Sequence, residues 1–222
     1  MTVITYRVAM EIAHHEALVR QAYLDSGGTW TWSVGLTAAT GHDVRRYIGK
    51  PQTLDHCLRI FVWALERYAE AVRAEFTGHA LSEAQFAAAL SFHWNTGRIA
   101  AAKWTDLWMA GKVKEARDAF LSFNKPKAII DRREAEARLF FDGEWSGDGR
   151  MPEYTRLTSR STPVWKSRTM IDVKDVLRGL LSGSVAPAPE PPTDDRLTRA
   201  APVLAALAAN LADLTAILNP EP

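Results

Sequence analysis

Apolar residues recur along the chain first at helical and then at strand spacing. Val8 and Ile12, with Glu16 one further turn on, lie along one face of a predicted first helix over residues 5–18. Between about residues 22 and 40 the pattern shortens to alternation and is broken by Gly27, Gly28, Gly35 and Gly41, which predicts a β-hairpin. A long amphipathic helix follows over 53–76, with Leu54, Leu58, Phe61, Val62, Leu65, Ala69, Val72 and Phe76 as its apolar stripe. Ser82 with Gln85 three residues later reads as a capping box, and Gly97 as the stop of the helix that box begins. Three further helices are expected at 103–110, 113–121 and 128–141. Many helices with one small antiparallel sheet make an α+β fold.

Beyond Gly143 the pattern changes. Residues 144–182 are rich in Ser, Thr, Arg and Gly, and read as an extended tail whose Tyr154 and Trp165 dock on the preceding domain (1–143), with a short helix at 172–181. A proline-rich linker covers 183–195. From 196 to 219 Leu204, Leu207, Leu211, Leu214 and Leu218 alternate three and four apart, a heptad seam. So short a helix needs a surface against its leucines. Self-association and docking on its own domain are both open.

Composition narrows the function classes. The chain's 222 residues carry 27 basic and 26 acidic side chains, so no overall field recommends nucleic acid or a membrane surface as partner. The lone Cys57 lies on an apolar helix face and reads as a buried thiol; an internal disulfide is impossible. Six histidines without zinc-type spacing predict no metal, and nothing calls for a cofactor. The N-terminus lacks the basic and apolar regions of a cleavable signal peptide, and no run is long and apolar enough for a spanning helix.

The chemistry concentrates in the first quarter. Glu16 on a helix's apolar side would be partly desolvated, the setting of a general acid, while Asp25 at the mouth of a glycine turn would sit in a wetter, donor-rich one. Two carboxyls in divergent surroundings are what glycoside hydrolysis requires. Thr31 adds a hydroxyl able to help Asp25 position water. Trp30 and Trp32 offer faces for sugar stacking, or alternatively pack across strands. Glu11 reads as a solvated charge.

At this point HEALVRQAYLDSGGTWTWSVGLT (residues 15–37) resembles the active-site phrase of the phage-type lysozymes, the endolysin family: Glu, eight residues, Asp or Cys, five residues, Thr. Glu16, Asp25 and Thr31 match without a gap, and Ala22, Tyr23, Gly28, Gly35 and Thr37 fall on further elements. LSEAQFAAALSFHWNTG and RREAEARLF resemble two later blocks, so the resemblance covers roughly residues 8–142. Ala17, Ser33, Val34 and Leu36 depart from it, replacing a glycine, a glycine, a tyrosine and a histidine; the change at Ser33 is expected to reshape the strand.

The resemblance implies a small lobe holding the hairpin, a larger helical lobe and a glycan cleft between them. It implies a muramidase cutting the β-1,4 bond between N-acetylmuramic acid and N-acetylglucosamine of peptidoglycan, with Glu16 as acid and with Asp25 and Thr31 holding water in an inverting reaction. Asn95 would face the cleft or cap its own helix. Arg132 or Arg133 would reach Glu16, or form an exposed pair. The enzyme would wait in the host cytoplasm until released to the wall, or travel with the virion. A lytic transglycosylase, and a non-catalytic wall-binding or virion protein on the same fold, are the alternatives.

Overall fold

The computed structural model describes residues 2–183. The linker expected at 183–195, apart from Gly183, and the leucine helix at 196–219 lie outside the described residues. Helix α1 (Tyr6–His15) starts where the Thr5 hydroxyl accepts from the Val8 N–H at 3.2 Å. It ends three residues short of the predicted stop, because Glu16 turns to extended backbone (φ −102°, ψ 164°) and the chain enters strand β1 (Leu18–Leu24). Leu18 and Val19 are buried as strand residues paired with Val34 and Ser33.

Strands β2 (Trp30–Val34) and β3 (Leu36–Thr37) complete the hairpin region. Ser33 has left-handed backbone (φ 54°), and its hydroxyl donates to the Cys57 carbonyl at 2.9 Å. That buried bond helps to hold a conformation unfavourable to a residue with a Cβ. Cys57 itself is fully buried, and burial pushes its thiol up to about 12.

The helical part follows the sequence periodicity closely. Helix α2 (Leu54–Glu75) is amphipathic. Helix α3 (Glu83–Thr96) has both bonds of the Ser82–Gln85 capping box and stops at left-handed Gly97. Every residue from Phe86 to Phe92 is buried, so α3 is the central helix, enclosed on all sides. Helices α4 (Lys103–Met109), α5 (Val113–Leu121) and α6 (Ile130–Asp142) close around it. Trp104 is the centre of the aromatic core there, with ring centroids 5.4 Å from Phe92, 4.8 Å from Phe120 and 4.9 Å from Phe140.

Residues 144–182 are more ordered into sheet than the sequence suggested. Strand β4 (Arg150–Tyr154) runs parallel to β1, β5 (Arg168–Asp172) pairs antiparallel with β4, and the five-stranded order is β3-β2-β1-β4-β5. Pro152 inside β4 conceals it, since proline weakens any strand reading. Helix α7 (Lys174–Ser182) then seats Leu177 in the core. Tyr154 is half-buried as expected, but Trp165 is 79% exposed and does not dock. Among the described residues no helix is long and apolar enough to cross a membrane.

Candidate active site

Glu16 stands at the junction of α1 and β1, its N–H closing the helix on the Ile12 carbonyl at 3.2 Å. Its carboxyl is not enclosed by apolar side chains as its helical placement predicted. Arg132 of α6 donates to Glu16 Oε1 at 2.5 Å, and the Glu16 side chain keeps 20% exposure. Oε2 faces Gly35: a Cβ on Gly35 would lie 2.7 Å from that oxygen and 3.3 Å from Trp94 Nε1. With φ at +73°, position 35 suits glycine on both backbone and steric grounds.

Behind Glu16 lies a buried charge network. Arg132 Nε donates to Glu136 Oε1 at 2.8 Å, and its Nη2 reaches both the carbonyl and the hydroxyl of Ser91 at 3.2 Å. The Ser91 hydroxyl donates to Glu136 at 2.6 Å, and Arg133 pairs with the other Glu136 oxygen. Arg133 also stacks over Phe92, 4.6 Å from guanidinium carbon to ring centroid, and donates to the Phe123 carbonyl at 3.0 Å. Two guanidinium groups converge on the buried Glu136, compensating its charge where water is scarce. Burial disfavours the charge on Arg132, but Glu16 and Glu136 outweigh it and keep the guanidinium firmly protonated. The arginines are therefore no exposed pair: Arg132 reaches Glu16, and Arg133 is 1% exposed. Spacing carried part of this signal, since Glu136 follows the two arginines at i+4 and i+3. Ser91 and Gly35 carried none beyond the family phrase.

Asp25 is held locally. Its Oδ1 accepts from the N–H groups of Gly27 at 2.9 Å and Thr29 at 2.8 Å, while Gly28, left-handed at φ +77°, completes the turn. No described residue bonds Oδ2. Thr31 pairs with Tyr23 across β2 and β1, is 4% exposed, and donates its proton to the Thr29 carbonyl at 3.2 Å. Tyr23 ties the pieces together. Burial raises its hydroxyl most, and the fields of Glu16 and then Asp25 raise it further, so the phenol is held neutral.

The remaining candidates fall elsewhere. Trp32 is fully buried, stacked on Tyr47 with centroids 3.9 Å apart, and donates to the Arg20 carbonyl at 3.0 Å; it cannot serve as a sugar platform. Half-buried Trp30 is two residues away on the same strand, so pleating puts it on the side of Trp32 and away from Thr31. Asn95 is exposed and neither caps α3 nor joins Glu16; its Oδ1 accepts from Arg133 at 2.7 Å, beside a separate surface cavity of about 400 Å³. Glu11, read as a solvated charge, is 2% exposed, 3.4 Å from His15, and accepts from the Ser146 N–H at 3.2 Å. Burial would raise its carboxyl, but those partners hold it below the usual range. A cavity of about 420 Å³ lined by His14, His15, Arg132, Arg138, Trp145 and Ser146 adjoins the Arg132 side of the network.

Comparison with known proteins identifies the fold and the family. Several solved structures share the fold, three of them as follows. An endolysin from Escherichia coli O157:H7 phage FAHEc1 matches at TM-score 0.57 and 19% identity, over 64% of this chain and 96% of that one. The muramidase domain of SpmX from Asticaccaulis excentricus matches at 0.54 and 22%, over 63% and 98%. A mutant of P22 lysozyme matches at 0.52 and 24%, over 63% and 99%. No individual curated protein matches at a significant level. The phage lysozyme family model matches residues 13–136, more than half of the chain, a span that includes Glu16, Asp25, Thr31 and Arg132. The protein thus belongs to the phage lysozyme family, with a lysozyme-type function directed at peptidoglycan.

Proposed function

We propose that the protein is a muramidase that hydrolyses the β-1,4 bond between N-acetylmuramic acid and N-acetylglucosamine with inversion, and that it acts as an endolysin in bacterial lysis. The observation that carries the reading is the unlike setting of the two carboxyls, one clamped by a guanidinium and one seated in a turn with an oxygen to spare.

Glu16 is the general acid. Arg132 occupies Oε1, so the transferable proton resides on Oε2, in the space that Gly35 leaves open. Delivering it to the glycosidic oxygen breaks the bond from C1 to the leaving sugar, and the carboxylate left behind gains the full attraction of Arg132. On the opposite face a water adds to C1, and its proton passes to Asp25 Oδ2. The Thr31 hydroxyl has its proton committed to the Thr29 carbonyl, so it presents lone pairs and orients that water by accepting from it. Inversion requires room for the water, roughly 6.5–9.5 Å between carboxyls.

The test is release of soluble muropeptides from purified peptidoglycan by the unaltered protein and by Glu16→Gln, with products identified by mass. Reducing-end products from the former alone support a hydrolase with Glu16 as its acid. Products lighter by one water would instead reveal the internal ring closure of a transglycosylase. No product from either would leave a wall-binding protein. Synthesis in the host cytoplasm, with release to the wall at lysis, belongs to the same reading.

A further inference from the structure

The family match ends at residue 136, yet the sheet continues through β4 and β5, and the loop joining them returns to the site. Strand β4 pairs with β1 at Leu18↔Glu153, where Arg20 donates to Glu153 at 2.6 Å. Farther along, the Leu24 N–H, next to Asp25, donates to the Ser161 carbonyl at 2.8 Å. Tyr154 also contributes to the field that raises the Tyr23 hydroxyl, after Glu16 and Asp25.

This loop is braced by its own bonds. The Thr158 and Thr162 hydroxyls lie 2.7 Å apart, the Val164 N–H meets the Arg156 carbonyl at 2.9 Å, and the Arg156 N–H meets the Ser167 hydroxyl at 3.2 Å. On so fixed a frame, Trp165 is 79% exposed, with its ring edge-on to Tyr154 at 5.5 Å between centroids. It is the one exposed large aromatic among the described residues. Arg156, Arg160, Lys166 and Arg168 are all exposed, and residues 154–169 contain no acid. Arg168 stands directly opposite Tyr154 in the β4–β5 register. In a chain of net charge +1 this is a local concentration of cations on an aromatic platform.

We propose that the β4–β5 hairpin is a second binding surface for peptidoglycan, on which Trp165 stacks against a sugar ring of the strand being cut while the basic side chains meet carboxylates of its peptide stems. The inference rests on the muramidase reading for the identity of the ligand. An open, cationic, aromatic surface continuous with β1 suits an extended anionic polymer better than a small molecule, which needs enclosure. Its pre-ordered loop keeps the entropy cost of binding low.

The test uses the full chain carrying Glu16→Gln, which prevents cleavage, and measures co-sedimentation with purified sacculi. Adding Trp165→Ala should weaken binding about tenfold, the loss of one anchoring aromatic. Adding Arg156→Glu with Lys166→Glu should weaken it at low ionic strength, with the difference narrowing at about 0.5 M salt as screening takes over. Unchanged melting temperatures would show that both variants remain folded. Sacculus binding equal to the parent in both variants would overturn the proposal. So would losses seen only on phosphatidylglycerol vesicles or on a single-stranded DNA oligonucleotide, which would assign the surface to a membrane or a nucleic acid. Failure of the muramidase reading shows itself separately, as absence of cleavage products from the Glu16-intact protein, and leaves the sacculus-binding comparison readable.

Discussion

Glu16 and Asp25 carry the same functional group on adjoining pieces of chain, and opposite means hold them in place. Glu16 is fixed from a distance: Arg132, 116 residues away, grips one oxygen, and Gly35, by lacking a Cβ, leaves room for the other. Asp25 is fixed from within its own turn, by N–H groups two and four residues along. The remote arrangement couples Glu16 to the packing of the helical lobe, so disturbing it should cost stability and activity together. The local arrangement needs only an acceptor oxygen at the turn, so the chemistry of Asp25 can be changed while the fold stands. Stability and activity should therefore separate at one carboxyl and not at the other.

The largest effect should come from removing the shared cation. Arg132→Met leaves Glu16 without its partner and takes one cation from a network containing the fully buried Glu136. The expected cost is about 3 kcal/mol, within the range for breaking a buried ion pair, with activity falling in parallel. Urea unfolding and muropeptide release measure the two; a stable, active variant would dissolve the comparison. Gly35→Ala is the next step down. The left-handed backbone alone should cost about 1–3 kcal/mol, and a methyl directed at Glu16 Oε2 should displace the acid and depress turnover. Full activity in that variant would mean that Glu16 works from another position.

The same contrast explains what could be read from the sequence. Asp25 and its glycines, the Ser82–Gln85 box and helices α2–α6 are legible because their determinants are neighbours in the chain. The resemblance located Glu16, but its surroundings depend on α6 and on where α1 yields to β1, and periodicity continued the helix through Leu18. Trp32 looked available because nothing nearby says that Tyr47 and His42 cover it. The failure at β4 has a different cause. Pro152 suppresses the local strand signal, while pairing with Met170 and attachment to β1 supply what the segment itself does not advertise.

Asp25's hairpin does have one remote support, and pH should expose it. Tyr47, stacked on Trp32, has its hydroxyl 3.0 Å from His42 Nε2 and 2.9 Å from His56 Nε2. Burial first, then Arg46, lowers both imidazoles below their ordinary range. The unfolded chain thus takes up protons at higher pH than the folded one. The neutral imidazoles' contribution is intact above about 6.5, the unfolded value, and is lost as pH falls through the lower folded values. Melting temperature should decline as pH drops below about 6.5, and the decline should flatten in a His42→Gln, His56→Gln variant. An unaltered slope would remove this cluster from the hairpin's support.

The smallest stability change, and the sharpest test, belongs to Asp25→Asn. Asparagine retains an Oδ1 that can accept from Gly27 and Thr29, so the turn should persist and stability should move by no more than about 0.5 kcal/mol. Its amide cannot take a proton from water. Turnover should therefore fall by about 10²–10⁴, the range for losing a general base. Unfolding and muropeptide release on the same preparation decide the matter. A marked loss of stability would show that the charge of Asp25, and not merely its oxygen, supports the turn. Retained turnover would remove Asp25 as the base and leave Thr31 and Glu16 to account for the reaction. A stable, inactive protein would establish that the hairpin is a scaffold on which chemistry can be exchanged, whereas the Glu16 side has acid and fold built into one network.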